Sequence, residues 1–211
     1  MKSPLLLHNY EWECGKVSYY APDLNFVEKT YSKNLQRGLQ PFPYWAKVWP
    51  SALGLCRFLI EHPYYICQKN ILELAGGLGL PSLVSAQYAR QVCFSDYIPE
   101  AVEVMERSVA HNSFKNIDCK VLDWNHLPPI PETEIVLLSD INYEPLEFEN
   151  LITVIESFVQ KGIIVILSTP HRLMARPFIE TIIPWRQHQQ EISIVYNNHR
   201  LSISIFVLVM L

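Results

Sequence analysis

The stretch from Asn70 to Ser82 reads NILELAGGLGLPS, and the rest of the chain can be interpreted outward from it. A short apolar run at 70–74 carries one acid, Glu73, and the small residues Ala75, Gly76, Gly77 and Gly79 follow. Such a run is typical of a buried strand, and glycines let the backbone turn sharply or approach a ligand closely. Pro81 is well placed in the first turn of a helix. The stretch therefore predicts a strand, a glycine turn and a helix, a unit that often cradles nucleotides.

The overall composition limits the classes of protein to which the chain can belong. Its 211 residues, 49% of them hydrophobic, suit one domain with a small appendage. The net charge of −4 gives no electrostatic footprint for a nucleic-acid partner. The five cysteines are scattered without a Cys-x-x-Cys pair, which favours reduced thiols in the cytoplasm and no metal site. The apolar runs at both ends are too short for a signal peptide or a membrane span, so no membrane partner is expected.

Apolar periodicity predicts strands that alternate with helices along most of the chain. The predicted strands are Asn70–Leu74, Gln91–Ser95, Ile117–Leu122, Glu134–Leu138, Gly162–Ser168, Gln190–Tyr196 and Leu201–Leu211. The predicted helices are Ser51–Glu61, Pro81–Ala89, Pro99–Asn112, Phe148–Gln160 and Leu173–Ile183, the last broken at Pro177. The pattern indicates an α/β, Rossmann-like fold. We expect a seven-stranded, mostly parallel sheet with helices on both faces and a C-terminal antiparallel hairpin.

The first 43 residues have a different character. Aromatic and apolar positions predict a short hairpin with Gly15 near its turn. The polar segment Pro22–Gln40 is expected to be irregular or weakly helical, and Pro41-Phe-Pro43 marks a rigid stop. We therefore expect an N-terminal appendage at 1–43 that covers part of a main domain at 44–211.

Acidic residues stand at the end of four predicted strands: Glu73, Asp96, Asp123 and Asp140. Ligands of open α/β sheets bind at the carboxyl ends of the strands, so these acids are expected to share one rim. Solvated loop acids are the simpler alternative. A dinucleotide fits poorly, because Ser82 occupies the third glycine place and Glu73 would repel a pyrophosphate. S-adenosyl-L-methionine (SAM), which carries a sulfonium and no phosphate, fits better, although an NAD-dependent oxidoreductase stays open.

The glycine stretch resembles the SAM-binding signature E/D-x-G-x-G-x-G of class I, seven-β-strand methyltransferases, with Ala75 in the first glycine place. More narrowly, residues 44–211 are similar to methyltransferase family 16, which contains lysine methyltransferase-like and nicotinamide N-methyltransferase-like proteins. Four motifs carry the resemblance: Tyr44-Trp45 to Trp49-Pro50, ELAGGLGLPS at 73–82, Ser95-Asp96-Tyr97 followed by Asn112, and Leu138-Ser139-Asp140 followed by Tyr143-Glu-Pro145.

The resemblance implies roles for individual residues. Gly77 and Gly79 would pack against the methionine part of SAM, and Asp96 would accept hydrogen bonds from both ribose hydroxyls. Asp123 would face the adenine amino group, with Trp124 offering a backbone N–H or a stacking face. The other residues expected at the cofactor site are Trp49, Glu73, Ala75, Tyr97 and Ser139. Two of these assignments have an alternative in which the residue stabilises the fold. A tryptophan of the Trp45–Trp49 segment could instead fill the core, and Glu73 could instead accept hydrogen bonds from N–H groups of the loop.

The motif that begins at Asp140 is expected to carry the acceptor chemistry. We expect Asp140 to orient an acceptor nitrogen and Tyr143 to wall the pocket, with S-adenosyl-L-homocysteine as product. The alternative for Tyr143 is an aromatic packed under the following helix.

The methyl acceptor is the least determined part of the prediction. The sequence Asp140-Ile-Asn-Tyr143 lacks the prolines of the D/N-P-P-Y/F tetrad of nucleic-acid amino-methyltransferases, which argues against a nucleic acid. A protein lysine is the preferred acceptor. A small-molecule N- or O-methyltransferase and a SAM-binding module without activity stay open, as does the oligomeric state.

Overall fold

The computed structural model describes residues 3–35, 42–129 and 132–210, with side-chain burial given outside residues 33–35. The strands are β1 Leu5–Trp12, β2 Gly15–Pro22, β3 Asn70–Leu74, β4 Gln91–Asp96, β5 Ile117–Val121, β6 Ile135–Ser139, β7 Ile164–Pro170, β8 Arg186–Tyr196 and β9 His199–Leu208. The helices are α1 Leu24–Leu35, α2 Pro50–Glu61, α3 Leu80–Ser85, α4 Pro99–Asn112, α5 Phe148–Val159 and α6 Arg176–Ile182. Within these described ranges, no helix is long and apolar enough to cross a membrane.

Seven strands form one sheet in the order β5-β4-β3-β6-β7-β9-β8. All neighbours are parallel except β9, which runs antiparallel to both β7 and β8. The direction of the chain across the sheet reverses at β3, because β4 lies on one side of it and β6 on the other. The predicted mostly parallel seven-stranded sheet with a C-terminal hairpin is confirmed. The turn of that hairpin is made by Asn197 and Asn198, both with positive φ.

Alternate residues of each central strand pack into two separate cores. One face of the sheet, with Ile71, Ile135 and Leu137, packs against α2, α3 and α4. The other face, with Leu72 and Val136, packs against α5 and α6. Because both faces of the strands are buried, they read in the sequence as continuous apolar runs.

The N-terminal hairpin is bonded to helix α4. Strands β1 and β2 are antiparallel and turn between Trp12 and Gly15, as expected. The Asn112 side chain accepts a hydrogen bond from the Ser18 N–H at 2.9 Å and donates to the Ser18 carbonyl at 2.6 Å. Val17 is fully buried in the same core as α2 and α4, so the hairpin shares the packing of the main sheet.

The structure corrects four predicted segments. Helix α3 ends at Ser85 rather than Ala89, because the next turn tightens and the Tyr88 N–H bonds the Ser85 carbonyl at 2.9 Å. Pro177 lies in the first turn of α6 instead of breaking a helix from Leu173 to Ile183, and 3-10 turns flank α6. The segment expected to be irregular or weakly helical contains a regular helix, α1. Strand β8 begins at Arg186, four residues before the prediction. Predictions at 36–41, 130–131 and 211 lie outside the described residues.

Candidate functional site

The carboxyl ends of β4, β3 and β6 lie side by side, and the loops that follow them carry most of the predicted site residues. Leu74 of β3 is paired with Leu138 of β6, so the glycine turn and Ser139 begin at the same level of the sheet. Ser139 is half-buried. This edge is where the strand order reverses, which is the usual ligand position in an open α/β sheet.

The glycine turn has a backbone that restricts its side chains. Ala75, Gly77 and Gly79 all have positive φ, at 50°, 58° and 67°. For Ala75 this conformation costs about 1 kcal/mol, because an alanine replaces the glycine that would adopt it freely. A Cβ at Gly79 would lie 2.5 Å from the Met105 sulfur, and one at Gly76 would lie 2.5 Å from the Phe94 ring. The turn therefore requires small residues to keep its backbone shape, and the same small residues let a ligand approach the backbone closely.

Asp96 fixes this turn from the end of β4. Its Oδ2 accepts a hydrogen bond from the Gly77 N–H and its Oδ1 accepts one from the Ile98 N–H, both at 2.9 Å. The residue is buried, and burial raises the pKa of its carboxyl while the Ile98 and Gly77 N–H groups act in the opposite direction. A carboxylate has about four acceptor positions, so two bonds to the backbone leave capacity for a diol.

Glu73 lies behind the turn and is fully buried. One of its oxygens, Oε2, accepts from the Ser82 N–H at 3.0 Å and from the Ser82 hydroxyl at 2.5 Å, which ties β3 to α3. The other oxygen, Oε1, is buried and has no partner among the described residues. Burial raises the pKa of Glu73 from 4.5 to about 8, against the opposing effect of the Ser82 hydrogen bonds. Glu73 therefore accepts hydrogen bonds that stabilise the loop, which is the alternative to direct cofactor contact.

Replacing Glu73 with Gln is expected to remove a pH dependence of stability. The folded chain keeps a proton on Glu73 that the unfolded chain releases near pH 4.5. The free energy of unfolding should therefore fall as the pH rises from about 5 to about 8, by up to about 1.4 kcal/mol per pH unit. Urea unfolding of the wild type and Glu73→Gln across this range measures the difference. The same pH slope in both proteins would contradict the buried, protonated acid.

Asp123 and Trp124 follow β5 at the border of the site. Asp123 accepts from the Asn125 N–H at 2.9 Å and contacts His126 Nδ1 at 3.1 Å, and these bonds lower the pKa of its exposed carboxyl. Trp124 is half-buried against the core of α5 and α6. Asp123 also acts on Tyr97. Burial is the largest cause of the raised pKa of the Tyr97 hydroxyl, and the negative charges of Asp96 and Asp123 raise it further. The ends of β4 and β5 thus come together around Tyr97.

Asp140 and Tyr143 follow β6 on the opposite side of the turn. Asp140 has a φ of 57°, and its N–H bonds the Ser168 carbonyl of β7 at 2.9 Å. Its side chain is 7% exposed and its Oδ1 accepts from Arg172 Nη1 at 2.5 Å. The Tyr143 side chain is partly exposed, and burial and then the neighbouring Tyr97 raise the pKa of its hydroxyl.

The two tryptophans of the Tyr44–Trp49 segment lie in different surroundings. The Trp49 ring lies 5.9 Å from that of Tyr44, which in turn lies 5.6 Å from Tyr143. Trp49 also donates its indole N–H to the Tyr44 carbonyl at 2.8 Å. The Trp45 side chain packs with Leu78 in a small core under the N-terminal hairpin, which is the core-plug alternative. Trp49 therefore belongs to an aromatic rim beside Tyr143.

Three residues at this site escaped the sequence interpretation. Gly76 was visible in the glycine stretch but had no place in the signature, and Tyr44 was visible only as the neighbour of Trp45. Arg172 carries no sequence signal, since it stands in a polar turn after β7 and 32 residues from its partner Asp140.

Comparison with known proteins decides the family. The profile of a family described as lysine methyltransferase matches residues 44–183. The chain belongs to this family. The resemblance inferred from the four motifs is confirmed, and SAM, the cofactor that it implies, is supported by the same match.

Two relatives illustrate the range of similarity. The histone-arginine methyltransferase METTL23 of Homo sapiens is 31% identical over 121 residues, which are 54% of this chain and 64% of that protein. The protein-lysine methyltransferase METTL21E of Mus musculus is 34% identical over 102 residues, 47% of this chain and 38% of that protein. Matches to the four METTL23 relatives cover 49% to 64% of their lengths.

The fold is shared with distant solved structures. The precorrin 8W decarboxylase from Methanobacterium thermoautotrophicum superimposes with a TM-score of 0.59 at 15% identity, covering 77% of this chain and 93% of that chain. At this identity the similarity concerns the fold alone, and it confirms the Rossmann-like class.

Proposed function

We propose that this chain is a SAM-dependent methyltransferase that transfers the sulfonium methyl to a nucleophilic nitrogen, most directly that of a protein lysine. The observation that carries the proposal is the position of Asp96, buried at the reversal of the strand order with both oxygens directed at the glycine turn and its flank. Its remaining acceptor positions suit the two ribose hydroxyls of SAM. The backbone at Gly77 and Gly79 can approach the methionine part closely, because no side chain projects there.

The residues assigned to the cofactor would contact separate parts of it. Asp123, Trp124 and Tyr97 would border the adenosine, since their loops meet at the ends of β4 and β5. Ala75 and Ser139 begin the two loops on either side of the methionine part, and Glu73 would hold the turn from behind. When bound, SAM supplies an electrophilic methyl group on a sulfonium.

The acceptor nitrogen would enter between Asp140 and the aromatic rim. Asp140 accepts a hydrogen bond from the nitrogen and so directs its lone pair, and it can take the proton that a lysine ammonium must lose before attack. Tyr143 and Trp49 wall the entrance and exclude water, which keeps the nitrogen poorly solvated and nucleophilic. The two side chains are linked through the Tyr44 ring.

A protein acceptor is supported by the named activities of relatives, one a histone-arginine and one a protein-lysine methyltransferase. The net charge of −4 also suits a basic protein better than a nucleic acid. We further propose a methyltransferase domain at 44–211 with the N-terminal segment 1–43 appended to it. A cytoplasmic location agrees with the five free cysteines.

The experiment is methyl transfer from radiolabelled SAM to the proteins and metabolites of a cell lysate. Label on a protein band, recovered after hydrolysis as methyl-lysine, supports the proposal. Methylarginine would move the acceptor to a guanidinium, and label in small molecules alone would reject a protein acceptor. Tight SAM binding by calorimetry without any transfer would indicate a binding module.

A further inference from the structure

Arg172 stands in front of the carboxylate that we place at the acceptor. It follows β7, while Asp140 follows the adjacent strand β6. Ser139, the last residue of β6, is paired with Ser168 near the end of β7. The Arg172 Nη1 donates to Asp140 Oδ1 at 2.5 Å. The arginine side chain is 26% exposed and the aspartate side chain 7% exposed, so solvent screens this pair only partly.

The pair gives Asp140 a fixed orientation. A carboxylate removed from water needs a partner for its charge, and Arg172 provides one. The hydrogen bond that Arg172 donates to the Asp140 carboxylate is accepted by Oδ1. That arrangement leaves Oδ2 for a ligand, because the two oxygens of one carboxylate point in different directions.

We propose that Arg172 is a positioning residue for methyl transfer, which holds Asp140 Oδ1 so that Oδ2 faces the acceptor nitrogen beside Tyr143. This role rests on the proposed function. Arg172 acts through Asp140 and need not touch either substrate. Arg172 also borders a cavity of about 410 Å³ whose apolar side is formed by Ile179 and Phe206.

Arg176 offers a matched control on the same segment. It borders the same cavity, but its Nε donates to Glu180 of its own helix at 2.7 Å. Both side chains of this second pair are mostly exposed, and such surface pairs contribute little. A substitution at Arg176 therefore changes the charge of the cavity without changing Asp140.

The test compares Arg172→Gln, Arg172→Lys and Arg176→Gln in the labelled-lysate assay, with the wild-type protein band as acceptor. At saturating SAM we expect Arg172→Gln to slow labelling about tenfold or more, with SAM affinity by calorimetry within about twofold of the wild type. Arg172→Lys, which keeps the charge, should recover part of the rate, and Arg176→Gln should behave as wild type.

A double-mutant comparison separates positioning from general damage. Asp140→Asn with Arg172→Gln should be no slower than Asp140→Asn alone, because Arg172 acts only through that carboxylate. This comparison also serves if Arg172→Gln alone fails to fold, since the double variant removes both charges. A wild-type rate in Arg172→Gln, or a further loss in the double variant, would overturn the role. A wild-type chain that labels nothing would instead overturn the proposed function, and the positioning role with it.

Discussion

Asp96→Ala is expected to weaken SAM binding by about 100-fold or more. Hydrogen bonds to a charged acceptor contribute about 1.5–3 kcal/mol each, and the proposed ribose contact has two of them. Each 1.4 kcal/mol corresponds to a factor of ten in the dissociation constant. The variant also removes the acceptor for the Gly77 and Ile98 N–H groups, so the turn that carries the glycines loses its anchor at the same time.

Calorimetric titration with SAM measures this loss, and thermal unfolding shows how much of it comes from the fold. Losing the acceptor of two backbone N–H groups is expected to lower the free energy of unfolding by about 1–3 kcal/mol. Asp118→Ala is the matched control, because Asp118 lies on the neighbouring strand β5, is exposed, and its side chain accepts a surface bond from Gln91 at 3.0 Å. Unchanged SAM affinity in a folded Asp96→Ala protein would move the ribose away from the end of β4.

The parts of the fold that were predictable are those encoded by neighbouring residues. Helix α4 has the predicted bounds, Pro99 to Asn112, because its proline start and its apolar stripe are both local signals. The central strands were recognisable because strands buried on both faces are apolar runs between turn residues. The acids near strand ends were identifiable for the same reason, since Glu73 lies inside one apolar run and Asp96 and Asp140 follow the ends of two others.

The remaining features depend on contacts between distant parts of the chain. Asn112 was recognised as part of a motif, but its two bonds to Ser18 span 94 residues and are set by how the hairpin packs on α4. The pairing of Asp140 with Arg172 depends on the register of β6 and β7. No local pattern marks which polar residue of a turn will face which carboxylate. The sequence therefore predicts the rim of acids but leaves their partners undetermined.

Asp140→Asn is expected to reduce the rate of methyl transfer by about 100-fold at saturating SAM, within the usual range for loss of a group that handles a proton. Asparagine adopts positive φ readily, so the φ of 57° is preserved. Its carbonyl oxygen can still accept from Arg172, and its amide nitrogen then takes the place of Oδ2. A donor thus stands where the acceptor nitrogen requires an acceptor, and no base remains for its proton.

The affinity for SAM should stay within about twofold of the wild type, because the ribose contact is assigned to Asp96 on β4 and Asp140 follows β6. Calorimetry gives the affinity and radiolabel transfer to the wild-type protein band gives the rate. Glu149→Gln is a suitable control, since this acid lies exposed in the first turn of α5, close in sequence but on the outside of the helix. Equal losses of affinity and rate in Asp140→Asn would place Asp140 in the cofactor site. An unchanged rate would assign the acceptor to another carboxylate of the rim.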